Sequence, residues 1–174
     1  MLVTFVQMEA NAGSSRALAH IGSGFIAYAK TPKSFGPSPD EIVFHCQVER
    51  GYFLSHGFEG RLRSGLERCA VRGDGIVDVN LDFALDDASG LLLHAAFHAI
   101  FDVGEEGYEE ALSGRLPSTI AHATGAARIN GAAPAHRWLN KMQFFVVGER
   151  DFQRLSFAYD LFCLDECLLA EAEL

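Results

Sequence analysis

Five polar residues interrupt two neighbouring apolar segments near the middle of the chain. Asp78, Asn80 and Asp82 lie in IVDVNLDFAL, and His94 and His98 lie in LLLHAAFHAIF. Strict alternation of polar and apolar residues in the first segment is typical of a β-strand with one polar and one apolar face. The turn-rich sequence DDASG between the two segments predicts a hairpin. We therefore expect the five polar side chains to share one face of a strand pair.

The register of this hairpin decides which side chains meet. If the two leucines that flank the DDASG turn are paired, Asp82 lies opposite His94 and Asp78 lies opposite His98. An aspartate beside a histidine holds the imidazole in one tautomer. In a barrel interior such a pair would act as a general base, with the second ring nitrogen facing the ligand. These four residues are therefore the candidate catalytic residues.

The same pairs also have a purely structural interpretation. On a solvent-facing sheet, cross-strand charge pairs stabilise the fold by only about 0.2–1 kcal/mol each. The small side chains of Ala84 and Ala96 leave space between the polar groups, which favours a pocket. The sequence leaves both interpretations open.

Five further side chains are candidates for contacts with a substrate. Asn80 lies on the predicted polar face, and Glu59 alternates with Arg61, with which it forms either an in-face pair or part of a binding site. Trp138 and Asn140 share one face of the strand predicted there. The tryptophan belongs either to the core or to a ligand-stacking surface, and the asparagine is either a buried hydrogen-bonding anchor or a pocket donor.

No spacing in the sequence suits a metal ion or a cofactor. His94 and His98 are four positions apart, which on a strand separates them by roughly 13 Å, too far for one ion. The cysteines have no metal-type spacing and lie at Cys46, Cys69, Cys163 and Cys167. Neither a phosphate-binding loop nor a nucleophile motif is present. We predict chemistry without a metal or cofactor.

Composition limits the class of protein and of partner. The chain has 174 residues, 49% of them hydrophobic, which suits one globular domain. Its formal net charge of −9, with scattered arginines, argues against a nucleic-acid partner. There is no apolar run long enough to span a membrane and no signal-peptide pattern. We expect a cytoplasmic protein with free thiols and no membrane partner.

The remaining patterns predict many short strands with few helices. Residues 1–40 are expected to be mainly irregular, with loops at 11–24 and 31–40, and the barrel strands are expected within 41–164. The predicted strands are 2–8, 25–29, 41–49, 52–63, 76–85, 91–101, 138–148 and 154–164, with a further one inside 117–137. Short helices are predicted at 107–115 and 165–174. Closure of these strands into an antiparallel β-barrel would hide their edges.

Three segments resemble an uncharacterised family, domain of unknown function 3237. They are GFEGRLRSG (57–65), RGDGIVDVNLDFALDDASGLLLH (72–94) and RINGAAPAHRWLNKMQFFVVG (128–148). The DDASG turn and PAHRWLN are the most specific pieces, and the match runs from about residue 56 to residue 164. The resemblance implies a small antiparallel calycin-like β-barrel with a largely unassigned biochemical role.

The chain departs from that family at three places. The family's Gly-Ala-Asp-Trp element reads Gly65-Leu66-Glu67-Arg68 here. Asn80 replaces an arginine, and His94 replaces the tyrosine that follows the turn. If these positions line the family's pocket, this member has a changed pocket.

Three functions fit the sequence. The first is a cofactor-free enzyme of isomerase, cyclase or lyase type, acting by acid–base chemistry on a mostly apolar substrate, aromatic ones included, in a barrel pocket. The alternative is a non-catalytic barrel that binds a small apolar or aromatic molecule. The third is an assembly protein, and a homo-oligomer is left open in all three cases.

Overall fold

The computed structural model describes residues 17–30, 33–37, 41–55 and 58–164. Nine strands and two short helices follow one another along the chain. The strands are β1 (Leu18–Tyr28), β2 (Lys33–Pro37), β3 (Glu41–Ser55), β4 (Glu59–Arg72), β5 (Ile76–Asp87), β6 (Leu92–Asp102), β7 (Ile120–Gly131), β8 (Phe144–Asp151) and β9 (Ser156–Leu164). The helices are α1 (Gly104–Leu112) and a 3-10 helix (Pro134–Lys141).

Neighbouring strands pair antiparallel in the order β1-β9-β8-β7-β6-β5-β4-β3-β2. The sheet closes on itself because β1 also pairs antiparallel with the second half of β3. Eight strands therefore form a closed antiparallel barrel, and β2 adds to the first half of β3 outside that ring. The predicted fold class is confirmed.

The barrel interior is filled by the alternate, apolar side chains of each strand. In β5 the inward side chains are buried, and they are Val77, Val79, Leu81, Phe83 and Leu85. The polar residues between them point outward, as the alternation predicts. Phe97 and Tyr159 meet edge to face near the centre, with ring centroids 5.0 Å apart. The interior is therefore a packed core.

The expected loop at 11–24 is wrong over the part that the structure describes, because β1 begins at Leu18 and continues to Tyr28. The glycines that suggested a loop serve close packing within the strand. A Cβ atom on Gly22 would lie 2.2 Å from the carbonyl oxygen of Leu54, and one on Gly24 would lie 2.2 Å from the Tyr159 ring. The strand predicted at 2–8 and the helix predicted at 165–174 lie outside the described residues.

The single strand predicted at 52–63 is also wrong, because β3 ends at Ser55 and β4 begins at Glu59. The Ser55 amide donates to the Phe58 carbonyl oxygen at 3.0 Å, and the Phe58 amide donates to Ser55 Oγ at 3.0 Å. These two hydrogen bonds link the end of β3 to the residue before β4.

The strand predicted at 138–148 begins only at Phe144, since Pro134 starts a 3-10 helix that continues to Lys141. The expected loop at 31–40 is wrong over residues 33–37, because they form β2. Together with β1, this strand contradicts the expectation that residues 1–40 are mainly irregular, over the part that the structure describes. The other predicted strands within the described residues, and the helix, are confirmed with shifted ends. The helix predicted at 107–115 is α1, and Gly114, with φ of 77°, follows its end. Within the described residues, no helix is both long and apolar enough to cross a bilayer.

The two ends of the barrel are covered by different elements. At one end, α1 packs its buried Ala111 against the core, beside the β4–β5 turn and the β8–β9 turn. At the other end, the 3-10 helix buries Leu139 and His136. The sites described below lie at these ends, on the outer wall and in the interior.

Candidate functional site

The polar hairpin predicted from the sequence forms with a different register. Leu85 pairs with Leu93, so that Asp82 lies opposite Ala96 and Asn80 lies opposite His98. The turn has the expected length but lies one residue later, because Asp86 still pairs with Leu92. The Asp87 carboxylate stabilises it by accepting hydrogen bonds from the amides of Ser89 and Leu91, at 2.8 Å each. A shift of two residues keeps every side chain on its predicted face.

The predicted acid–histidine pairs therefore exist as diagonal neighbours. Nε2 of His98 lies 3.3 Å from Oδ1 of Asp78, and Nε2 of His94 lies 3.7 Å from Oδ1 of Asp82. The side chains of the two histidines are 59% and 56% exposed, respectively. The pairs lie on the outer wall of the barrel. Of the two interpretations that the sequence left open, the interior position is wrong and the solvent-facing one fits.

An open groove of about 330 Å³ lies beside these pairs on the outer wall. Ala96 and Ala126 leave room for it, as the small residues on this face suggested. Polar side chains from four adjacent strands or their ends line it, namely Asn80, Asp82, His98, Arg128 and Gln143. The groove is open to solvent, which makes it a weak place for chemistry that requires water to be excluded.

The other predicted binding residues are dispersed. Glu59 and Arg61 are exposed on the outer face of β4, and Trp138 packs half-buried against the core. Asn140 is an anchor, because its Oδ1 accepts from the Gly131 amide at 2.8 Å and its Nδ2 donates to the Gly131 carbonyl oxygen at 3.0 Å. The structure does not bring these four residues to the polar hairpin.

The end of the barrel under the 3-10 helix holds a compact, hydrogen-bonded acid–histidine pair. Nε2 of His136 lies 2.7 Å from Oδ2 of Asp87, and both side chains are only 9% exposed. The hydrogen bond with His136, followed by those from Ser89 and Leu91, holds the pKa of Asp87 well below its ordinary value. This pair fastens the 3-10 helix to the β5–β6 turn.

Sequence reasoning missed a polar cluster inside the barrel, which we call the buried cluster: Tyr28, Cys46, Glu67, Cys69 and Arg150. Nη2 of Arg150 lies 2.9 Å from Oε1 of Glu67, and both residues are 0% exposed. The Tyr28 hydroxyl donates to Oε2 of Glu67, and the Cys69 thiol donates to Oε1 at 3.0 Å. The guanidinium carbon of Arg150 lies 3.7 Å from the centroid of the Tyr28 ring.

Electrostatics fix the charge states in the buried cluster. Burial raises the pKa of Tyr28 well above its ordinary value, and the charge of Glu67 raises it further, so the phenol stays neutral. Burial alone would lower the pKa of Arg150. The charge of Glu67, with smaller contributions from other acidic neighbours, outweighs burial, and the pKa is raised. Arg150 is therefore a buried cation whose charge Glu67 balances.

The hydrogen-bonding capacity of Arg150 is not filled. Within the described residues, none of its three guanidinium nitrogens makes a hydrogen bond, since even the nitrogen near Glu67 does not direct an N–H bond at the carboxylate. Buried donors without partners are rare in folded proteins. The arginine can therefore donate to a further oxygen atom without losing a hydrogen bond to any described residue.

A recess of about 350 Å³ lies at the α1 end of the barrel, next to the buried cluster; we call it the end recess. Phe152 connects the two, because its ring lines the recess and its centroid lies 5.2 Å from the guanidinium carbon of Arg150. Phe44 lines the recess and pairs with Cys69 in the β3–β4 ladder. The other lining residues are Lys30, Gly114, Arg115, Leu116, Gln153 and Leu155.

One group within the described residues has three side chains that could hold a metal ion: Cys46, Glu67 and Cys69, whose ligand atoms lie within 4.8 Å of one another. Thiolates would suit a soft ion. However, Arg150 lies against the same carboxylate and opposes a second cation. This donor set does not fit a metal site, and the absence of a cofactor stays a prediction.

The sequence carried a signal for the buried cluster. Arg150 is in phase with Phe144 and Val146, and Glu67 is in phase with Cys69 and Val71. A charged residue in the apolar phase of a strand predicts a buried charge. The prediction for β8 stopped at Gly148, before the arginine was reached.

Comparisons with solved structures agree with this fold. A protein of unknown function from Clostridium acetobutylicum ATCC 824 aligns with a TM-score of 0.75 at 16% identity, over 87% of this chain and 99% of that one. A beta-barrel like protein from Acinetobacter baumannii AYE aligns with a TM-score of 0.69 at 15% identity, over 90% of this chain and 100% of that one. An enzyme from Penicillium herquei aligns with a TM-score of 0.60 at 11% identity, over 88% of this chain and 99% of that one.

Comparisons of sequence identify no relative. No family model and no curated protein matches the chain. The resemblance to domain of unknown function 3237 therefore stays a prediction. The chain is similar in fold to these three solved structures.

Proposed function

We propose that this barrel takes a small, mostly apolar molecule at the end recess, with one polar atom of the ligand directed toward Arg150. The observation that carries the proposal is the fully buried guanidinium whose three nitrogens make no hydrogen bond. A ligand oxygen would fill that capacity, which a packed apolar core cannot do.

The end recess has the size that such a ligand requires. Small-molecule sites are commonly clefts of about 300–1,000 Å³. Phe44, Leu116, Phe152 and Leu155 supply the apolar part of the lining, beside polar groups. The Phe152 ring lines the recess, and its centroid lies 5.2 Å from the guanidinium carbon of Arg150. Rotation of this ring would open the path from the recess to the guanidinium.

The enzyme hypothesis applies to the same place. The Tyr28 hydroxyl donates to Glu67 beside Arg150, which supplies a proton donor, a carboxylate and a cation in one cluster. With a carbonyl oxygen on Arg150, this cluster could move a proton between two carbon atoms of the ligand, an isomerisation that needs no cofactor. The alternative is a barrel that binds the ligand without turnover.

Two tryptophan substitutions separate the end recess from the outer groove. The probe is N-phenyl-1-naphthylamine, a neutral apolar fluorophore, titrated into the purified full-length chain. Leu116→Trp fills the end recess, and the matched variant Ala96→Trp fills the outer groove. We expect the unmodified chain and Ala96→Trp to bind the probe equally, and Leu116→Trp to lose binding by about tenfold or more.

The opposite pattern would overturn the proposal, and so would an unmodified chain that does not bind the probe. Far-ultraviolet circular dichroism of both variants checks that the barrel is intact. Enzyme and binder separate in a second experiment, in which a bound ketone is incubated in deuterated water. Exchange of deuterium next to the carbonyl that is lost in Tyr28→Phe supports the enzyme, whereas binding without exchange supports the carrier.

A further inference from the structure

The charge of the end recess differs from that of the rest of the protein. The chain has 23 acidic and 14 basic residues. The described residues that line the recess include two cations, Lys30 and Arg115, and no aspartate or glutamate. Because the protein as a whole is acidic, two cations at the rim of this recess indicate the charge of its ligand and do not reflect the average surface.

The two rim cations are not neutralised by the described part of the chain. The Nε atom of Arg115 donates to the hydroxyl of Ser113 at 2.9 Å, a partner without charge. Lys30 has no ion pair with any described residue, and both side chains are exposed at the mouth of the recess. Their charges are therefore available to a ligand.

The wall between the rim and Arg150 is apolar. Phe44, Leu116, Phe152 and Leu155 offer rings and branched side chains to the middle of a ligand. A molecule that complements this arrangement has a negative group at the mouth and an apolar body inside. A neutral molecule would leave the two cations uncompensated, and a cationic one would be repelled by them.

We propose that the ligand is an amphipathic organic acid whose carboxylate lies between Lys30 and Arg115, with its apolar body in the end recess. This inference rests on the proposed function, and it names the ligand class of the same site. The carboxylate would accept charge-assisted hydrogen bonds from the two side chains.

The test uses three probes with the same ten-carbon chain and different charge. Decanoate, methyl decanoate and decyltrimethylammonium each compete with bound N-phenyl-1-naphthylamine at neutral pH, well below the critical micelle concentration of each. We expect decanoate to displace the fluorophore at a concentration about tenfold lower than the ester. The ammonium compound should be the weakest, and added salt should reduce the advantage of decanoate.

A charge-neutralising double variant and a matched control locate the effect. Lys30→Gln combined with Arg115→Gln should weaken decanoate about tenfold and leave the ester unchanged. Arg128→Gln, which removes a cation from the outer groove, should leave both unchanged. Equal competition by acid and ester while the fluorophore still binds would overturn the ligand class and leave the proposed site standing. Failure of the fluorophore to bind would overturn the proposed function itself.

Discussion

Arg150 lies over the ring of Tyr28 and beside the carboxylate of Glu67, with its guanidinium carbon 3.7 Å from the ring centroid. The relationship joins β1 to β8 inside the barrel through β4, so one cation holds three strands. Because every member is buried, the cluster stabilises the fold only while its charges remain balanced.

Removing one partner of this ion pair should strongly destabilise the protein. Glu67→Gln leaves the Arg150 cation buried without a counter-charge, and we expect a loss of about 3–5 kcal/mol in the free energy of unfolding. Urea denaturation measures it. Glu149→Gln, next in sequence to Arg150 and on the outer face, should change that free energy by less than about 0.5 kcal/mol.

The double variant Glu67→Met with Arg150→Met tests the cause. It removes both charges and should recover most of the loss. Equal stability of Glu67→Gln and the unmodified protein would show that Arg150 does not depend on Glu67.

The free energy of unfolding should depend on pH through the carboxyl group of Asp87. Its pKa is lower in the folded protein than the unfolded value of about 3.9, so its contribution is present above that pH and is lost as the pH falls toward the folded-state pKa. Asp87→Asn should therefore be less stable than the unmodified protein at neutral pH, and the difference should shrink below about pH 4.

Urea denaturation across that pH range checks this expectation. Asp86→Asn is the control, because the carboxylate of Asp86 lies at the surface, with its Oδ1 atom 3.3 Å from Nη1 of the exposed Arg63. A difference between Asp87→Asn and the unmodified protein that does not change with pH would contradict the assignment to the carboxylate.

The outer acid–histidine pairs should contribute little. Since the pairs are solvent-exposed, we expect His94→Ala and His98→Ala each to change the free energy of unfolding by less than about 1 kcal/mol. Binding of N-phenyl-1-naphthylamine should also be unchanged in both. If either variant abolished turnover of a substrate found for the protein, the outer groove would be the active site instead.

Gly24 should not tolerate a side chain. A Cβ atom there would lie 2.2 Å from the Tyr159 ring, so Gly24→Ala forces a ring that packs in the core to move. We expect a loss of about 1–3 kcal/mol, the usual range for overpacking, measured as the shift in urea midpoint. Gly73→Ala is the control, since the nearest atom to its Cβ would be 3.9 Å away. Equal effects of the two substitutions would contradict the packing explanation.

The barrel could be predicted from the sequence because period-two alternation is a local signal. Val77 to Leu85 showed it most clearly, and the structure buries that apolar phase as expected. The hairpin faces followed from the same signal. The register did not, because the Asp87 carboxylate places the turn one residue later through hydrogen bonds that alternation does not encode.

The interior site could not be predicted in the same way. Tyr28, Glu67 and Arg150 come from strands that are distant in sequence, and their meeting depends on barrel closure. Closure of the barrel also decides which face of each strand lies inside. A polar face such as that of Asp78 and His98 has the same sequence pattern whether it lines a cavity or faces solvent. Gly22 and Gly24 favoured a loop in the sequence although they lie in a strand, because close packing and turns both select glycine.

The barrel closes only when β9, the last strand of the described residues, pairs with β1. His20 and Asp160, 140 positions apart, are hydrogen-bonded at 3.0 Å across this seam. A growing chain therefore holds an open sheet, with β1 and its newest strand as bare edges, until β9 emerges. Such long-range closure is slow, so the unfinished barrel depends on being kept from other copies of itself during synthesis.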